Sequence, residues 1–527
     1  MTVQLTQNIR VAGTVLNAGT TQSLGADIER QLVTANQATY VGPVPGSSID
    51  SAVPIANYTS ANMPPSAAKL GQGLIVLDGQ LTLSDGVTTA DSPAGFSAVG
   101  SGKRFSGYRV VLIGDSLTQR NSSGAMWAVG QSAKSMVHSV DGAFTWLNAL
   151  CGKPFRIVNN AGIAGQRTNE IAARYDADVT AYRPDVVALM AGINDLGFAG
   201  YSAAVTIANL QAMADKAIKS AFLLFFTLTP QNSLTNSTRI HRAIVNQWIA
   251  DYCRAHQGQC LLVDSDALTV NNALNSGAWL AGYATDGTHP SAMLATYNQI
   301  KNNIAKIKEL FSGIKLISDG SDTYDGSGSP AKTAYTEGQN LFTHAMSFMV
   351  GSGGTSSPGS GSITGTPPVG YILQNSGGTQ AITVTTSARA DNAGNNLSLA
   401  MTGLTSASVV ELFWQPDPAV MFNAGKYYEF TCRITVVSGA PSSALGAVYA
   451  FVREVTTSFN YVRDCEPANT LSSAFPFADS FIIRTPRYLF SSGETIRAGI
   501  IITGVAAGSA QIYISEAAFR QYDDPSW

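Results

Sequence analysis

The run YRVVLIGDS (residues 108–116) decides the fold. It is apolar almost without a break and closes on Gly114-Asp115-Ser116. A strand with one wet face alternates apolar and polar residues; a near-continuous run reads as a strand buried on both faces, as in a parallel sheet. FRIVNNAG (155–162), VVALMAG (186–192), LLFFTLTP (223–230) and CLLVD (260–264) repeat the pattern. Helical spacing fills the gaps at about 140–151, 168–182, 202–220 and 236–257, and a last helix is expected at about 291–311. Thr168 and Ser202 stand where side-chain N-caps are needed. Ile171, three residues after Thr168, leaves no capping box there. Strands alternating with helices predict βαβ units and a doubly wound parallel sheet with helices on both faces, here over residues 101–318.

Outward from this unit the texture changes on both sides. Residues 1–100 read as short extended pieces between turn signals, with one helix-like pattern at Leu24–Gln37, and suggest an attachment or packing module. Residues 319–330 (DGSDTYDGSGSP) read as a linker. Beyond them AITVTTSA, LSLAMTG, VVELFWQ, YYEFTCRITVV, GAVYAFVREV, FIIRTPRYLF, IRAGIIITGV and AQIYISEAAFRQY are short strands separated by turns. They predict a C-terminal β-sandwich over 319–527, most simply a jelly roll. The segment 351–368 is a second linker or a long loop; the loop is preferred because QNLFTHAMSFMV before it has strand character. The chain is therefore multidomain.

Composition narrows the function classes. The charged share is 13%, about half the ordinary ~25%, while 45% is hydrophobic and 50 residues are glycine. That suits short strands, tight turns and a neutral polar surface. A net charge of −3 gives no electrostatic footprint for nucleic acid or an anionic membrane. No stretch approaches 18 uninterrupted apolar residues, so no membrane insertion is expected. The opening MTVQLTQNIRVAGTVL lacks the basic and apolar regions of a signal peptide. Five cysteines do not make a disulfide framework; Cys253 and Cys260 form a local bridge or are two ordinary thiols. The five histidines are scattered singly, so neither a metal nor an organic cofactor is expected.

In open parallel sheets the chemistry collects at the carboxyl ends of the strands. Those positions hold Gly114-Asp115-Ser116, then Asn160 to Gln166, then Gly192-Ile193-Asn194-Asp195; Asp286-Gly287-Thr288-His289 precedes the last helix. A serine, candidate oxyanion donors, and an Asp and His three apart on one edge point to acyl transfer. Ser116 needs a base, and His289 is the histidine at that edge; Asp286 is placed to fix its tautomer. These four motifs, in this order over about 108–311, resemble the SGNH hydrolases, the GDSL-type esterase and acetylesterase superfamily. The resemblance implies a flavodoxin-like α/β domain and an oxyanion hole made by the Ser116 backbone N–H, the Gly165 backbone N–H and the Asn194 side-chain amide. Loss of one such donor costs ~3 kcal/mol of transition-state stabilisation. Asp115 and Asp195 read more simply as loop-shaping and turn residues. Arg120 and Arg167 flank the site and are candidate substrate contacts. Trp279 and Tyr283 are candidate walls for a sugar ring, with core packing the alternative for at least one.

The front of the chain looks similar in texture to modules of bacteriophage tail fibres and tailspikes, and its end to their carbohydrate-binding or trimerising domains. The expectation is a virion protein made in the host cytoplasm and acting at the bacterial surface. Its partners would be a capsule or O-antigen polysaccharide and, through the N-terminal module, other tail proteins; a homotrimer is expected. A cellular carbohydrate acetylesterase and a glycan-binding adhesin without catalysis are the alternatives. Either flank is expected to be removable without loss of small-ester turnover.

Overall fold

The computed structural model describes residues 107–523 except 124–134, 199, 233, 273–276, 312–334, 336, 391–393, 438–443, 456–459 and 468–473, together with the backbone of short strands between Val3 and Ala98. The chain separates into two compact units, Met1–Val99 and Gly100–Trp527. In the first, Val3–Leu5 pairs with Thr21–Gln22 and Ala38–Tyr40, and Ile9–Val11 with Thr14–Leu16. A further sheet runs Asn57–Tyr58, Leu74–Leu77, Gln80–Ser84, Phe96–Ala98. The helix expected at 24–37 and the linker expected at 319–330 lie outside the described residues.

The second unit opens on the parallel sheet. Its strands are β1 (Tyr108–Gly114), β2 (Phe155–Gly162), β3 (Val186–Met190), β4 (Phe222–Phe226) and β5 (Cys260–Val263). They lie in the order β2-β1-β3-β4-β5, every pair parallel. The order reverses at β1, which opens a crevice above the carboxyl ends of β1, β2 and β3. The continuous apolar runs have the cause the sequence suggests: both faces are covered. Val110, Leu112, Ala188 and Leu224 face one core; Val111, Ile113, Val187 and Leu189 face the other.

The helices that matter are α1 (Ser116–Gln119), α2 (Ala143–Leu150), α3 (Thr168–Ala173), α4 (Ala203–Ala217), α5 (Asn236–Ala255), α6 (Met293–Asn298) and α7 (Ile304–Leu310). Ser202 caps α4, accepting from the Val205 N–H. At α3 the cap reading shifts by one residue. Arg167 holds the N-cap position, and the Glu170 carboxylate accepts its N–H at 2.9 Å. The Thr168 hydroxyl turns instead to Asp195. The long helix expected at 168–182 is broken into α3, a turn at Tyr175–Asp178 and a 3₁₀ turn at Thr180–Tyr182. That expected at 291–311 is α6, a 3₁₀ turn at Lys301–Asn303 and α7. Cys253 and Cys260 are free thiols lying side by side in the core.

The C-terminal half is β-rich. Its strands are β6 (Ile372–Gly377), β7 (Ala381–Ala388), β8 (Asn395–Leu404), β9 (Val409–Trp414), β10 (Tyr427–Val436), β11 (Leu445–Glu454), β12 (Tyr461–Glu466), β13 (Ser480–Arg484), β14 (Ile496–Gly504) and β15 (Gly508–Tyr522). One sheet contains β12-β11-β14-β9-β6, the other β7-β8-β15-β10-β13. Two short strands, Thr355–Ser357 and Ser362–Thr364, extend these sheets from within the segment read as a loop. The strand expected before that segment is a helical turn, His344–Ser347, capped by Thr343. Phe342, Met346 and Met349 are buried there at helical, not alternating, spacing.

The two halves share one core. Ser135–Ser139, from the hydrolase side of the sequence, pairs in parallel with β12. Trp146 of α2 packs edge-on against Phe475, Phe477 and Phe481 at 5.4, 5.2 and 6.2 Å. All eight residues of α2 are buried. A helix buried all round needs cover on every side; here Phe155 of β2 packs against Phe144, and the sandwich covers Trp146.

Candidate active site

Ser116 begins α1, immediately after β1. Asp115 caps that helix, its Oδ1 accepting the Leu117 N–H at 3.0 Å. It is buried and its Oδ2 has no hydrogen-bond partner among the described residues. Burial pushes its carboxyl up to about 7, opposed by the Leu117 N–H and reinforced by the charge of Asp195. Gly162, at the end of β2, lets α1 sit directly on that strand: a Cβ there would lie 2.1 Å from the Gln119 nitrogen.

Asp286, Thr288 and His289 form a compact loop. One Asp286 oxygen accepts the N–H groups of Thr288 and His289 at 2.9 and 2.7 Å. The other lies 2.7 Å from His289 Nδ1. Although partial burial raises the Asp286 carboxyl, these hydrogen bonds outweigh it and hold the group at about 2. An ionised carboxylate at Nδ1 keeps the neutral ring's proton there and leaves Nε2 as an acceptor. His289 Nε2 stands 2.7 Å from Ser116 Oγ. Arg120 fixes the loop to α1, donating to the Pro290 carbonyl at 2.9 Å.

Gly165 lies on the exposed turn after β2 with φ +78°, a conformation that favours glycine, and a Cβ there would meet nothing within 4 Å. The backbone N–H groups of Ser116 and Gly165 have no protein acceptor among the described residues. Asn194 follows β3 on a 3₁₀ turn, Ile193–Asp195. Its Nδ2 donates to the Gln166 carbonyl at 2.9 Å, which orients the amide and leaves its second N–H free to donate. Asp195, fully buried, accepts from the Thr168 N–H and hydroxyl at 2.9 and 2.5 Å and from the Thr206 hydroxyl at 2.9 Å. Arg174 ties the same loops to the sheet, donating to the Gly114 carbonyl and to Gln166 Oε1.

The structure thus brings Ser116, His289, Asp286, Gly165 and Asn194 to one edge. Arg167 stays beside it, its guanidinium 4.1 Å over the Phe198 ring and 5.5 Å from that of Tyr201. Phe198 is 50% exposed. Trp279 is 3% exposed and packs in the core, and the half-buried Tyr283 accepts from Asn298 Nδ2 at 2.7 Å. Sequence reasoning placed Gln166 at this edge without a role and did not find Arg174, Phe198 or Tyr201. The first two act through backbone carbonyls or on neighbouring loops and carry no motif. A Phe and a Tyr three apart just after Asn194 were a usable signal. No group of His, Cys, Asp and Glu among the described residues could hold a metal ion. The arrangement can deprotonate a hydroxyl and receive an oxyanion.

Residues 112–293 match the GDSL-like Lipase/Acylhydrolase family. No curated protein matches the chain. Among solved structures, a putative acylhydrolase from Bacteroides fragilis is 20% identical, covering 39% of this chain and 88% of its own, with a TM-score of 0.29. An acetylxylan esterase from Geobacillus stearothermophilus is 23% identical, with coverages of 39% and 96% and a TM-score of 0.30.

Proposed function

We propose that this protein is a serine esterase that removes ester-linked acyl groups, most simply O-acetyl, from a bacterial surface polysaccharide. The observation that carries the reading is the unbroken hydrogen-bond chain Ser116–His289–Asp286 beside Asn194 and two unengaged N–H groups. His289 Nε2 takes the Ser116 proton as Oγ attacks the ester carbonyl. The oxyanion is received by the N–H groups of Ser116 and Gly165 and the free amide N–H of Asn194. His289 then returns the proton to the departing sugar oxygen, and a water activated by the same ring releases the acid from Ser116. Phe198 and Tyr201, with Arg167 across them, offer a sugar ring a stacking surface next to Gly165 and Asn194.

We read the flanks as the delivery apparatus of a phage tail, with Met1–Val99 joining other tail proteins and the C-terminal sandwich binding glycan or holding three copies together. Low charge and a sandwich that supplies none of the catalytic groups support this reading. The strand orders β8-β15-β10-β13 and β9-β14-β11-β12 support a jelly roll, in which successive strands alternate between two sheets except for the β11–β12 pair.

The test is acetate release, followed by mass spectrometry, from a panel of capsule and O-antigen preparations, alongside p-nitrophenyl acetate turnover. Both should fall at least ~10³-fold in Ser116→Ala with the melt unchanged. Tight glycan binding with no acyl release from any preparation would instead make the protein an adhesin.

A further inference from the structure

The amino-terminal end of β2 lies about 23 Å along the strand from the catalytic edge. There a cavity of about 30 Å³ opens at the seam between the parallel sheet and the sandwich. Its walls include His138, Lys153, Arg156, Glu429, Arg484 and Arg487. The carboxylates at this seam are already engaged. Asp464 accepts from Lys153 Nζ at 2.6 Å and from the Arg484 N–H at 2.7 Å, and faces His138 Nδ1 at 3.2 Å. Glu429 lies 2.7 Å from Arg484 Nε and 3.8 Å from Arg487 Nε. Arg487 also stacks 3.4 Å over the Tyr522 ring.

Arg156 has no such partner. Its Nη2 is buried, and no carbonyl or carboxylate among the described residues accepts from its guanidinium. Burial and the neighbouring charges of Arg487 and Arg484 push that guanidinium down to about 9, against the pull of the Glu429 carboxylate. Burial also pulls the His138 imidazole down, against the hydrogen bond and charge of Asp464, which favours its neutral form. A guanidinium does not shed its proton in proteins, so Lys153, Arg156, Arg484 and Arg487 outnumber the carboxylates Asp464 and Glu429 at this seam, and uncompensated buried charge is destabilising. The cavity exceeds the ~10–15 Å³ that one water requires. At about 30 Å³ it admits more than one oxygen-sized group, and a guanidinium matches carboxylates and tetrahedral oxyanions in two-point geometry.

We propose that a small oxyanion, a carboxylate or an inorganic tetrahedral anion, occupies this cavity. It bridges Arg156 of β2 to Arg484 at the end of β13 and Arg487 just beyond it, and fastens the α/β layer to the sandwich. The site is independent of the catalytic reading, since Arg156 touches none of its groups.

The full chain, dialysed into chloride buffer, is titrated with sulfate and separately with acetate at constant ionic strength, and its melting temperature is followed. A saturable rise with sulfate, with acetate or with both is expected, and the two arms distinguish an inorganic anion from a carboxylate. In Arg156→Gln the apparent affinity should fall about 10- to 100-fold, as loss of a charge-assisted hydrogen bond predicts, with small-ester turnover unchanged. An equal response in Arg156→Gln, or saturation by neither anion, overturns the proposal. Should Arg156→Gln not fold, crystals of the parent soaked in selenate and in bromoacetate decide it. An anomalous peak beside Arg156 Nη2 in either soak supports the site, and no peak in both rejects it.

Discussion

Asp286, with its side chain 52% exposed, is held below an ordinary carboxylate because two backbone N–H groups and the His289 ring converge on it. Its folded value of about 2 lies below the ordinary ~3.9, so the stabilisation it gives is fully present above about pH 4 and is lost only as pH falls toward 2. Asp286 therefore contributes nothing to an acid limb nearer neutrality. Between about pH 5 and 8 Asp286 should add no step of its own to kcat/KM for a small ester. Asp286→Asn should lower kcat by up to about 10⁴-fold, since an amide N–H turned toward Nδ1 selects the wrong tautomer. An unchanged kcat in Asp286→Asn would remove Asp286 from the relay. Asp115 has the opposite sign. Its carboxyl is raised to about 7, so stability relative to Asp115→Asn should fall as pH rises from about 4 through 7, as a pair of melts across that range would show. Ser116, Asp286 and His289 were legible because each stands in a short motif at a predicted strand end or before a predicted helix. The supports were not. Arg120 reaches a carbonyl 170 positions away and Arg174 one 60 positions away, and a backbone acceptor leaves no mark on the sequence.

At the level of elements, Asp195 joins the start of α3, the turn carrying Asn194 and the first turns of α4. The two side-derived oxyanion loops are thereby tied to one buried carboxylate. Asp195→Ala would leave the Thr168 N–H and two hydroxyls without their acceptor, at a cost of about 2–4 kcal/mol. Displacing the donors it holds should lower kcat roughly 10- to 100-fold with KM little changed. Thr206→Val, which removes one of the three contacts, should show the same pattern in smaller measure. Steady-state kinetics below the melting transition test this, and a variant losing stability but not kcat would make Asp195 structural alone. The parallel strands could be read from sequence because burial on both faces writes continuous apolar runs. Boundaries that depend on distant partners could not. Thr168 resembled a cap, yet its hydroxyl is claimed by Asp195, 27 residues on. Ser135–Ser139 is too short to show a period, and its place beside β12 is set by a strand more than 300 residues later.

On the scale of the whole molecule, the two flanks of the catalytic layer are not equivalent. Met1–Val99 is a compact unit of its own, and none of the groups at the candidate site belongs to it. A protein beginning at residue 100 should therefore fold and turn over p-nitrophenyl acetate at the parental rate. The C-terminal half is different, because composition and motif order describe it as an attachment while the packing makes it a wall of the catalytic layer. Without it, α2 loses the cover of Phe475, Phe477 and Phe481 over Trp146, and Ser135–Ser139 loses its strand partner. Exposing one large apolar side chain costs about 1.5–3 kcal/mol, and several exposed together consume a large share of a typical domain's ~5–15 kcal/mol. Ending the chain near residue 318 should accordingly give an aggregating or molten protein, with ANS binding, no cooperative melt and little esterase activity. The strand Ser135–Ser139 follows Ser116 by about twenty residues, so its loss should also loosen the loop leaving α1. A monodisperse, cooperatively melting, active protein of residues 100–318 would show that the α/β layer holds its own core and that the shared sheet is only a docking contact.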